Sequence, residues 1–231
     1  HTISPTAALP QITEALEIDG ATPPGYAGLP RIELDGSHAG ATANGLLVLG
    51  GECLIRGLAI NRFSLDGVRI EGRGANVIQG NFIGVDPSGN PIPNDGNGIW
   101  IMEGSSAIQV GGTDPGAGNR IAYNGGAGVS LGWGATDVTS GISILGNSIY
   151  ANGGVGIARW PGVNGGIAPP ALTLGALVSG MTVPNTVVEL FADAGDERQT
   201  FLERVTADET GAFVSGVSPS SYPGMTVTAT A

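Results

Sequence analysis

Five short runs in this chain share one pattern: a small or polar residue, then glycine, then two branched or long apolar residues flanking one outward position. They read Asn44-Gly45-Leu46-Leu47-Val48, Asp66-Gly67-Val68-Arg69-Ile70, Asn97-Gly98-Ile99-Trp100-Ile101, Ala127-Gly128-Val129-Ser130-Leu131 and Val155-Gly156-Ile157-Ala158. The glycines recur at intervals of 22, 31, 30 and 28 residues, so one supersecondary unit is repeated with loops of varying length. The pattern predicts a solenoid, and with it a molecule that acts through long surfaces.

A repeat of this length is open to a helical pair, a leucine-rich unit or a β-coil. The units hold almost no uninterrupted helical periodicity and are crowded with Gly and Asn, which disfavours helical arrays. A second apolar run appears in the units at a matching offset, as in Ile55-Arg56-Gly57-Leu58-Ala59-Ile60-Asn61 and Ile144-Leu145-Gly146-Asn147-Ser148-Ile149-Tyr150. Ile60 to Gly67, Ile121 to Gly128 and Ile149 to Gly156 are each seven residues apart. Two or three short strands per turn, joined by Gly/Asn corners, predict a parallel β-helix of about six coils at the usual strand spacing of about 4.8 Å. Stacked asparagines are expected to bond to the coils above and below. The stretch 86–95 contains Pro87, Pro91 and Pro93, which cannot donate to an interior ladder, so it is expected to protrude from a corner. The glycine-rich stretch 111–118 reads as a second loop.

The segments Thr2-Ile3-Ser4-Pro5, Ile32-Glu33-Leu34-Asp35-Gly36, Ile55-Arg56-Gly57-Leu58-Ala59-Ile60-Asn61, Asn76-Val77-Ile78-Gln79-Gly80-Asn81-Phe82-Ile83-Gly84 and Gly146-Asn147-Ser148-Ile149-Tyr150 carry a resemblance. They resemble the right-handed parallel β-helix repeat proteins of bacterial surfaces and secretions, with the pectin-lyase-like fold. The resemblance spans roughly the first 165 residues and implies an all-β fold and an extracellular or cell-surface setting. It implies no particular activity, since that architecture hosts polysaccharide lyases and hydrolases, adhesins and non-catalytic proteins.

The formal net charge of -11 argues against nucleic acid and anionic membrane as partners. All nine basic residues are arginines, which removes Schiff-base chemistry, a lysine general base and lysine isopeptide crosslinks. Cys53, the single cysteine, lies in an apolar run and reads as a buried small hydrophobe. No apolar stretch approaches the length of a membrane span. A start at His1 directly before a strand-like segment suggests a processed or trimmed N-terminus.

After Trp160 the pattern changes. The stretch 161–170 reads as a linker, and residues 171–231 alternate with period two, predicting strands at 171–177, 186–192, 200–207, 212–217 and 225–231. The domains expected are therefore a parallel β-helix over 1–163 and a small antiparallel, immunoglobulin-like β-sandwich over 164–231. Five strands fall short of the usual seven.

No catalytic set emerges. Hydrolases of the resembled fold need paired aspartates, a histidine and a lysine; here no Asp-Asp pair exists, lysine is absent, and His1 and His38 lie outside the repeat core. Its lyases use a lysine or arginine base with calcium held by several carboxylates, whereas Arg69 with Glu71 is a lone charged pair on the outward strand face. No cofactor is expected. Calcium is a weak candidate at Asp193, Asp196 and Glu197, since hard cations want several oxygens.

If Leu46, Val48, Val68, Ile70, Ile99, Ile101, Val129 and Leu131 face inward, the alternate positions Leu47, Leu49, Arg69, Trp100, Met102 and Trp160 face outward. A solvated sheet would carry Thr, Asn and Lys there. Either the C-terminal module or a corner loop folds over this stripe, or it is a contact surface for protein or for sugar rings. Thr2 and Ile3 at one end, and Val227 and Ala229 at the other, read as sheet edges without an evident cap, suited to end-to-end strand addition into filaments. A fragment of a longer surface protein would show the same edges. The expected function is a secreted, non-enzymatic structural or adhesive protein that self-associates or binds other surface proteins, the alternative being a carbohydrate-active enzyme or carbohydrate-binding protein.

Overall fold

The computed structural model describes residues 1–22, 28–193 and 199–231. The chain is all-β with short 3-10 turns and divides into two compact units, His1–Gly165 and Gly166–Ala231. No helix among the described residues is long and apolar enough to cross a membrane.

In the first unit the described strands form three parallel sheets, visited in fixed rotation. Sheet I stacks Thr2–Ile3, Ile32–Asp35, Leu58–Asn61, Phe82–Ile83, Arg120–Ala122 and Ser148–Tyr150. Sheet II stacks Leu46–Val48, Val68–Glu71, Ile99–Met102, Val129–Leu131 and Ile157–Arg159. Sheet III stacks Glu17–Asp19, Leu54–Arg56, Val77–Gln79, Gln109–Gly111 and Ser143–Leu145. A parallel bridge from Ile12 to Val48 supplies the first rung of sheet II. Each circuit of I, II and III is one layer, and each strand pairs with its equivalent one layer on, an order consistent with a parallel β-helix-like fold.

Inward residues form columns. In register, Leu34, Ile60, Ile83, Ile121 and Ile149 line sheet I, Leu46, Val68, Ile99 and Val129 line sheet II, and Ile55, Ile78 and Val110 line sheet III. They belong to one buried cluster, most of it with no exposure at all. The recurring glycine has a steric cause in this packing. A Cβ on Gly45, Gly67, Gly98 or Gly128 would overlap Cγ2 of Ile60, Ile83, Ile121 or Ile149 respectively, the sheet I isoleucine of the next layer. The repeat is therefore a lock between layers, glycine receiving isoleucine.

Two columns of asparagine, all buried but the half-buried Asn152, close the corners. Leading into sheet I, Asn119 Oδ1 accepts from Asn81 N–H (2.9 Å) and Nδ2 (3.1 Å), Asn147 Oδ1 accepts likewise from Asn119, and Asn119 Nδ2 reaches Ile78 O at 2.8 Å. Leading out of sheet I, Asn94, Asn124 and Asn152 repeat the arrangement, with Phe63 N–H donating to Asn94 Oδ1 at 3.1 Å. These corner amides are thus satisfied by the layer next to them.

The proline-rich stretch 86–95, expected to protrude from a corner, is exposed or half-buried except at Asn94 and folds back on itself. Val85 bridges Pro91 antiparallel, Asp86 N–H donates to Asn90 O at 3.0 Å, and a Cβ on Gly89 would strike the Arg120 guanidinium, itself 4.7 Å from the Phe82 ring. The stretch is a small hairpin whose Gly89 lies against the Arg120 guanidinium.

The second unit has two three-stranded antiparallel sheets among the described residues. One orders Ala171–Leu174, Val178–Met181 and Ala212–Val214; the other orders Thr200–Thr206, Val187–Asp193 and Thr226–Thr230. The expected strand at 171–177 is a hairpin instead, turning at Gly175 so that Leu174 faces Val178. Val178, Val188, Leu190, Phe213, Val217 and Val227 form its core. Glu189, 1 % exposed, is neutralised by Arg204, whose Nε and Nη2 lie 3.0 and 2.5 Å from Oε1.

Candidate functional site

The outward side of sheet II carries the columns Leu47, Arg69, Trp100, Ser130, Ala158 and Glu71, Met102, in register. Arg69 is its hub. The guanidinium lies 4.6 Å over the Trp100 ring, its Nε donates to Glu71 Oε1 at 2.6 Å, and its Nη1 is 4.0 Å from Asp66 Oδ2. Trp100 Nε1 donates to Gly132 O of the next layer at 2.9 Å, so the half-buried ring is pinned on one edge and covered on one face. Leu47 and Leu49 are half-buried.

Asp66 joins the site although its sequence context does not single it out. It stands in a third column, donating its own N–H to Asn44 Oδ1 (3.1 Å) while its Oδ1 accepts from Asn97 N–H (2.8 Å) and Nδ2 (2.9 Å). It is 4 % exposed. Burial pushes its carboxyl above the ordinary value, and the Asn97 donors and the Arg69 charge do not outweigh that.

Met102 is a correction. Its register is outward, yet it is 5 % exposed. The strand ends there in a closed corner: Ser105 Oγ donates to Met102 O at 2.6 Å, and Asp137, from the next layer, accepts from Glu103 and Gly104 N–H at 3.1 and 3.2 Å. Trp160 is accessible, 47 % exposed, with its backbone N–H on Leu131 O at 3.1 Å. Trp133, 46 % exposed and not singled out from the sequence, comes directly after Gly132, over which Trp160 lies. A signal for it exists: the chain's three tryptophans fall on successive layers in or just after the sheet II strand.

The remaining expected residues lie elsewhere. Thr2 and Ile3 form the outermost strand of sheet I, exposed, with Thr2 Oγ1 donating to Glu33 Oε2 at 2.8 Å. Val227 and Ala229 sit on Thr226–Thr230, outermost in its sheet among the described residues, but Val227 is buried in the core of its unit. Asp193 is 4 % exposed at the end of Val187–Asp193, and Asp196 and Glu197 lie outside the described residues. Among the described residues no three His, Cys, Asp or Glu gather as a metal site.

This face offers a charge-compensated guanidinium on an aromatic ring, and the next two strands of the sheet are each followed by an accessible tryptophan. No family model and no curated protein sequence matches the chain.

Proposed function

We propose that this chain is a secreted, non-enzymatic structural or adhesive protein of a bacterial surface. In this reading a right-handed parallel β-helix, with a small immunoglobulin-like sandwich after it, presents the outward side of sheet II to other protein surfaces. Right-handedness rests on the strong preference of parallel crossovers for that hand. The observation that carries the reading is the row of tryptophans on successive layers, with Trp133 and Trp160 accessible just after the two strands that follow the one bearing Trp100. Exposed aromatics of this kind supply much of the energy of protein interfaces.

The test is a Trp133→Ala, Trp160→Ala double variant, assayed by sedimentation for self-association and by adhesion to protein-coated surfaces. Unchanged thermal stability with lost association supports the reading; association equal to that of the parent overturns it. Assay of polysaccharides for released reducing ends or unsaturated products, with and without calcium, tests the carbohydrate-active alternative, and product formation would replace the adhesive reading with it. Filament growth by strand addition is the wider form of the proposal, and electron microscopy showing only monomeric particles would remove it.

A further inference from the structure

Five asparagines precede glycine: Asn44, Asn97, Asn124, Asn152 and Asn164. In such a pair the glycine nitrogen attacks the asparagine Cγ and ammonia leaves. Water then opens the succinimide to aspartate or isoaspartate. Glycine permits this because no side chain obstructs the approach. Folding suppresses it wherever the glycine N–H is held away from the side chain.

Four of the five pairs are held in that way. Gly45 N–H donates to Asp66 O (2.9 Å), Gly98 to Ala127 O (2.9 Å), Gly125 to Asn94 O (2.8 Å) and Gly153 to Asn124 O (2.7 Å), each a bond to an adjacent layer. Gly165 sits instead in one short local turn, Val163–Gly166, and makes no bond to a neighbouring layer among the described residues. It is exposed, with φ 69°, and nothing lies within 4 Å of where a Cβ would stand.

Asn164 is also a cap. Its Oδ1 accepts from Ile142 N–H at 2.8 Å, its Nδ2 donates to Ile142 O at 3.0 Å, and its own N–H donates to Thr139 O at 2.9 Å. One side chain thereby does for Ile142 what a further strand would do, while Val163 beside it is wholly buried. We propose that Asn164 is a spontaneous modification site whose conversion to aspartate or isoaspartate unlocks this end of the layered unit. A carboxylate in place of Nδ2 sets acceptor against acceptor at Ile142 O, and isoaspartate also lengthens the backbone by one carbon, so both ties and the Val163 seat are lost.

The folded chain is incubated at mildly alkaline pH and mapped by peptide mass spectrometry, beside a sample unfolded in urea. All five asparagines should convert in urea; in the folded chain Asn164 should convert several-fold faster than the other four. Equal conversion at Asn97 or Asn124, or protection of Asn164 equal to theirs, overturns the site. Hydrogen exchange at the Ile142 amide should then quicken in the converted chain and in the Asn164→Asp variant; unchanged exchange in both overturns the unlocking.

Discussion

Two buried aspartates on neighbouring corners respond to acid in opposite senses. Burial dominates at Asp66 and raises its folded pKa, so the stability its protonated form contributes is present below the unfolded value and lost as pH rises through the folded one. Asp66→Asn keeps an acceptor for Asn97 and removes the buried charge. It should raise the urea midpoint near neutral pH, with the gain vanishing toward about pH 3. At Asp137 burial is outweighed by the hydroxyl and amide of Thr139 and the amides of Gly104 and Glu103, and the carboxyl is held below its ordinary value. Its contribution is present above the unfolded pKa and lost as pH falls through the folded one, so Asp137→Asn should destabilise at neutral pH and by less in acid. Urea titrations of both variants at the two pH values check the pair, and equal responses would refute the assignment. The tryptophans divide similarly: Trp100→Ala breaks the bond to Gly132 O and the Arg69 stack and should cost about 1–3 kcal/mol. Trp160→Ala should leave the denaturation midpoint unmoved.

At the scale of strands and corners, the glycine lock and the asparagine columns hold the layers in phase. Gly98→Ala forces a methyl onto Ile121 and should cost about 1–3 kcal/mol by chemical denaturation. Val129→Asp puts a charge where exposure is zero and should abolish folding, read by loss of circular dichroism. The inward phase of sheet II is legible in the sequence because strands alternate with period two and the glycine marks where each one begins. Met102 is not legible there: its exposure is decided by a corner that Asp137 closes, more than thirty residues along the chain. The hairpin at Gly175 is hidden because Leu174, Ala176, Leu177 and Val178 form one apolar run with a single glycine to announce the turn.

At the scale of the whole first unit, each strand pairs with its equivalent one layer on, and the loops between strands absorb the differences in length. Asn81 and Asn119 occupy one column position, 38 residues apart. Removing 82–119 would bring Arg120 where Phe82 stood and Ile121 where Ile83 stood, with glycine, isoleucine and asparagine columns all still aligned. Such a deletion should fold with β-type circular dichroism and cooperative melting, while one a few residues shorter should not. The first unit is in this sense a ruler graduated in steps of about 4.8 Å: whole graduations should be removable or addable, and the row of outward side chains on sheet II shortens or lengthens with them.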